Sequence, residues 1–108
     1  MEVSTLLELT RAYLSSDKLA IIRQAYEFAL KAHEGQTRRS GEPYLQPPLE
    51  TAAILADLKL DASSIAAALL HDVPEDCGVP IEEIEAKFGP EVSKLVDGVT
   101  KLSQISGQ

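Results

Sequence analysis

The segment His71-Asp72-Val73-Pro74-Glu75-Asp76 puts one imidazole and three carboxylates within six positions, directly after the apolar run Ile65 to Leu70. Neutral imidazole and carboxylate oxygen are both good ligands for divalent metals such as manganese or zinc. On a helix turning about 100° per residue, Asp72 falls close to the direction of Ile65 and Leu69, so it is expected to face the core. Leaving an ion unpaired there is prohibitive, and Asp72 must meet a cation, several hydrogen-bond donors or a metal. The plainer alternative has Asp72 satisfying backbone donors in a loop while His71 packs at the helix end. Glu75 and Asp76 have the chemistry to position or deprotonate a water, or to protonate a leaving oxygen, if burial separates their pKa values. Otherwise they form a surface acidic turn. Pro74 is expected to end helical geometry and turn the two acids back over the site. Cys77 reads as a half-buried structural thiol rather than a soft ligand.

In this acidic chain Arg38 and Arg39 stand out, lying beside Ser40 between Gly35 and Gly41. Guanidinium groups grip phosphate bidentately and stack on bases, and Ser40 adds a hydroxyl. The alternative is a pair of solvated arginines. His33 falls on an apolar helix face and reads as a core or loop-anchoring residue in preference to a ligand.

Helices must hold these groups. Leu6, Leu7, Leu9, Tyr13 and Leu14 suggest a first helix starting near Ser4 or Thr5 and ended by Ser15 and Ser16. Leu19, Ile22, Tyr26, Ala29, Leu30 and His33 follow three-and-four spacing after a candidate N-cap, Asp17. Gly35 to Pro48 reads as a loop of about fourteen residues, and loops of that length in a small domain are commonly functional. Pro48 suits the first turn of a third helix bearing Leu49, Ala52, Ala53 and Leu55. Asp61 is the expected cap of a fourth, apolar in nearly every direction through Leu70 and therefore buried. Pro80 suits the first turn of a fifth helix, stopped by Gly89, and Pro90 opens a sixth with Val92, Leu95, Val96 and Val99 as its stripe. No strand ladder, repeat or low-complexity tract is evident, so the expected class is all-α.

The chain's 108 residues fit one domain, with 44% hydrophobic and 25% charged residues typical of globular proteins. A net charge of −7 disfavours general DNA or RNA binding and anionic membranes. The longest apolar run is far shorter than the roughly 18 residues of a membrane span. Glu2 after Met1 is unlike a basic signal-peptide start, and Cys77 has no cysteine partner within the chain. A cytoplasmic location is expected.

Four ordered blocks carry a resemblance: Ala32-His33-Glu34-Gly35-Gln36-Thr37-Arg38-Arg39-Ser40-Gly41-Glu42-Pro43-Tyr44, Pro48-Leu49-Glu50, Ala67-Ala68-Leu69-Leu70-His71-Asp72-Val73, and Leu95-Val96-Asp97-Gly98-Val99-Thr100-Lys101-Leu102. Together they resemble the N-terminal hydrolase domain of the RelA/SpoT family, enzymes that make and degrade the stringent-response nucleotide guanosine tetraphosphate, (p)ppGpp. The resemblance implies an HD-type bundle of about six helices, with residues 1–108 as the N-terminal part of the domain. It also implies a manganese ion that activates water to remove pyrophosphate from the nucleotide's 3′ position. Carried over by position, His71 and Asp72 look like metal ligands, Glu75 and Asp76 like the catalytic acids, and Arg38, Arg39 and Ser40 like nucleotide contacts. The chain departs from the pattern at Pro47, where the family has a ligand histidine, and at Pro74 and Cys77. A further ligand aspartate lies beyond position 108 in the family. With two of four ligands, weak or absent manganese binding and impaired hydrolysis are expected. The alternative is a degenerate, non-catalytic regulatory or interaction module of a (p)ppGpp synthetase. Self-association through faces left uncovered by truncation is also expected.

Overall fold

The computed structural model describes residues 1–34 and 45–106, with side chains through 102. Among the described residues there are seven α-helices and no strand: α1 (Val3–Arg11), α2 (Ser16–Ala32), α3 (Gln46–Asp57), α4 (Ala62–Leu70), α5 (Val73–Cys77), α6 (Ile81–Phe88) and α7 (Pro90–Ser106). The six expected helices are present, and α5 is an additional single turn.

The arrangement is organised around α4. All of its residues except Ser63 and Ser64 are buried, and it packs against α2, α3 and α7. Small side chains let the neighbours approach closely: Ala25 and Ala29 on α2 and Ala52 and Ala56 on α3 are buried to 1% exposure or less. On α2 the buried row is Ile22, Ala25, Ala29 and then His33, while Leu30, expected on this stripe, is 51% exposed. A row spaced by three and four residues is narrower than the full set of apolar positions, and Leu30 falls beside it.

Several boundaries differ from the sequence expectation. Ser15, rather than Asp17, occupies the N-cap of α2, and its hydroxyl donates to Asp17 Oδ1 at 2.7 Å. Helix α3 begins at Gln46, so Pro47 and Pro48 both lie in its first turn, where a missing N–H costs nothing. Pro80 is the N-cap of α6 and not its first helical residue. Helix α1 stops at Arg11, before Tyr13 and Leu14. The Tyr13 hydroxyl nevertheless ties this end of α1 to the α3–α4 turn by donating to the Leu60 carbonyl at 2.6 Å.

Asp61 caps α4 as expected, its Oδ1 accepting from the Ser64 backbone N–H at 3.0 Å. Hydrogen bonding from Ser64, through its side chain first and then its backbone, holds the Asp61 carboxyl below the ordinary range. A carboxyl depressed by folding stabilises the fold above its unfolded pKa, about 3.9, and that contribution is lost as pH falls through the lower folded value. Asp61→Ala is therefore expected to cost about 1 kcal/mol at neutral pH. Asp61→Asn should retain the cap without titrating, so the parent's melting temperature should fall more steeply than this variant's below about pH 4. Parallel melting curves across that range would contradict the assignment.

Candidate metal and acid site

The site forms where the buried helix α4 ends. His71 is its C-cap, and Asp72 is the N-cap of α5. Pro74 lies in the first turn of α5, so it does not end helical geometry after His71-Asp72 as expected. It starts the next helix instead, since proline suits a first turn as well as it breaks an interior. Glu75 and Asp76 follow in that same turn, and the Asp76 N–H bonds the Asp72 carbonyl at 2.8 Å. Gly78, with φ of 68°, then turns the chain out of α5.

His71, Asp72, Glu75 and Asp76 line one cavity of about 180 Å³ together with Val99 and Thr100 of α7. Four sequence-nominated residues thus meet in one place. His71 and Asp72 are half-buried, whereas Glu75 and Asp76 are exposed. The cavity is small beside the roughly 300 Å³ and more of typical ligand pockets, and suits ions and water better than a whole nucleotide. A more apolar groove of about 320 Å³ adjoins it through His71 and Val99, and is also lined by Leu55, Ala67 and Leu95. Leu95 and Val99, expected in the buried stripe of α7, are 39% and 40% exposed along this groove.

The His71 ring is oriented by its own helix. Its Nδ1 lies 2.8 Å from the Ala68 carbonyl, which only accepts, so Nδ1 carries a proton and in the neutral ring Nε2 keeps its lone pair. Metal-binding histidines commonly show this arrangement, one nitrogen donating to a carbonyl and the other free to coordinate. Asp72 obtains the compensation its position demands from an imidazole: Oδ1 lies 3.3 Å from Nε2 of His33. His33 is 4% exposed, in agreement with a core-anchoring role. Behind it, Cys77 Sγ sits 3.4 Å from His33 Nδ1. Burial, and then the charges of Asp72 and Asp76, push the Cys77 thiol up, so it remains protonated at neutral pH.

His71 Nε2 and Asp72 have donor chemistry that fits a divalent cation. The set is small, because no group of three His, Cys, Asp or Glu residues placed to hold a metal occurs among the described residues. Pro47, in the first turn of α3, has no side-chain donor. Arg38, Arg39 and Ser40 lie outside the described residues. Sequence reasoning missed the His33–Asp72 contact and the contribution of Val99 and Thr100. The second was signalled by the block Leu95 to Leu102; the first, linking positions 39 apart, had no local signal.

No helix is long and apolar enough to cross a membrane among the described residues. Residues 25–108 match the HD domain family. The chain is 48% identical over 101 residues to a guanosine-3′,5′-bis(diphosphate) 3′-pyrophosphohydrolase of Vibrio cholerae, covering 94% of this chain and 14% of that protein. It is 49% identical over 98 residues to the bifunctional (p)ppGpp synthase/hydrolase SpoT of Escherichia coli, covering 91% and 14%. A GTP pyrophosphokinase of Myxococcus xanthus is 54% identical over 94 residues, covering 87% and 12%. The chain therefore spans about one seventh of these curated relatives. An all-α architecture, a histidine–aspartate pair at the end of its central helix, and half-identity to these enzymes across most of its length place the chain in the HD domain family, among RelA/SpoT relatives.

Proposed function

We propose that residues 1–108 form the N-terminal part of a (p)ppGpp 3′-pyrophosphohydrolase domain acting in the cytoplasm, with hydrolysis impaired by Pro47. The observation that carries this reading is the shared cavity of His71, Asp72, Glu75 and Asp76, in which His71 keeps Nε2 available. His71 and Asp72 would hold the metal, taken as manganese, which when bound polarises water and offsets phosphate charge. Hydrolysis adds water to the phosphorus on the 3′ oxygen and breaks that P–O bond, releasing pyrophosphate. Glu75 and Asp76, exposed beside the pair, accept the proton of the water and return one to the departing 3′ oxygen. Arg38, Arg39 and Ser40 bind the polyanionic substrate, supplying local positive charge that the net −7 of the chain does not preclude.

A second reading is favoured by Pro47, which cannot donate to a metal: a regulatory or interaction module that binds without turnover. The exposed Leu95, Val99 and Leu102 on α7 would serve its contacts, or self-association. Manganese-dependent pyrophosphate release separates the two, measured for this chain, for Pro47→His, and for a Pro47→His form extended beyond Gln108. Turnover confined to the extended Pro47→His form is the expected result. An ordinary enzymatic rate from the unmodified chain would contradict the impairment. No turnover from any form, with nucleotide or partner binding retained, would favour the module.

A further inference from the structure

Asp72 reaches in two directions. It lines the cavity with His71, Glu75 and Asp76, and it also meets His33, whose side chain is 3% exposed, through Oδ1 at 3.3 Å. An ionised carboxylate only accepts hydrogen bonds, so Nε2 of His33 carries the proton in this contact. In a neutral ring Nδ1 is then an acceptor, and the Cys77 thiol stands 3.4 Å away with a proton to give. The groups therefore run as thiol, imidazole and carboxylate, from the end of α5 through the C-cap of α2 to the start of α5. A side chain at a helix start has several staggered rotamers available, and a buried donor on one oxygen selects among them. From these contacts we propose that His33 is a positioning residue: it holds Asp72 through Oδ1 so that Oδ2 is presented to the cation, while Cys77 fixes the tautomer of His33 from behind.

This inference rests on the metal-site reading above. Hydrogen bonds to a ligating carboxylate are commonly worth about 10–100-fold in metal affinity. The test is Mn²⁺ binding at millimolar ion, read by loss of the free-ion electron paramagnetic resonance signal. Parent, His33→Ala and His33→Gln are compared where circular dichroism shows each folded. Glutamine places an amide N–H near the reach of Nε2 and retains a donor for Oδ1. His33→Ala is expected to lose about 10–100-fold in affinity and His33→Gln to recover most of it. A His33→Ala protein that binds Mn²⁺ as tightly as the parent overturns the proposal. Absence of Mn²⁺ binding by the parent counts against the metal-site reading, and the tautomer then decides the positioning role. Long-range proton–nitrogen NMR of the parent should show His33 protonated at Nε2, and the Asp72 carboxyl carbon should shift in His33→Ala. A ring protonated at Nδ1 alone would overturn the proposal independently of any metal.

Discussion

Leu69→Ala is expected to lower stability by about 2–5 kcal/mol, because a fully buried leucine leaves a cavity as well as its transfer free energy. Leu69 is 0% exposed on α4, and α4 contacts α2, α3 and α7, so neighbouring helices are pinned from several sides and close the gap poorly. Against a typical total of about 5–15 kcal/mol, this loss would bring the fold close to its unfolding threshold. The melting temperature should fall by on the order of 10 °C or more. Leu30→Ala is the control. At 51% exposure its effect should stay within about 0.5 kcal/mol, even though periodicity alone assigns both residues to apolar helix faces. Equal losses from the two variants, measured by thermal or urea unfolding, would contradict the buried row assigned to α2.

Asp72→Ala should affect stability and metal binding together. It removes a proposed ligand together with the His33–Asp72 hydrogen bond. Losing a hydrogen bond to a charged group costs about 1.5–3 kcal/mol. Asp72→Asn retains an acceptor oxygen for His33, so more of the stability should survive while cation binding still weakens with the lost charge. Glu75→Ala and Asp76→Ala, at exposed positions, should change stability by no more than about 0.5 kcal/mol. Unfolding curves for the four variants check this, and a loss at Glu75 matching that at Asp72 would contradict the division of roles.

The contrast between Leu30 and Leu69 also shows what the sequence makes legible. Helix α4 could be read outright, because Asp61 is a good cap and the residues after it are apolar in nearly every direction, which only a largely surrounded helix tolerates. The His71-Asp72 pair and its acids were legible for the same reason: an apolar helix was bound to deliver them to an interior edge. Pro74 was ambiguous in physical terms. Proline breaks a helix interior and suits a first turn, and only the packed chain distinguishes the two. The compensation of Asp72 was predictable as a need but not as a partner. His33 is remote in sequence, and α2 brings it there by packing against α4. Pro47 was read from resemblance alone, and its place in the first turn of α3 adds no donor to the site.

The proposed function needs the end of α4 to hold a divalent cation, if only weakly, at His71 and Asp72. Paramagnetic broadening of the backbone NMR spectrum by substoichiometric Mn²⁺ tests it most directly, because it locates even a weakly held ion. The account predicts broadening centred on His71, Asp72, Glu75, Asp76 and Thr100, the residues around the cavity, and its disappearance in Asp72→Ala. Broadening centred instead on the exposed acids of α6, Glu82, Glu83 and Glu85, with His71 and Asp72 left sharp, would contradict it.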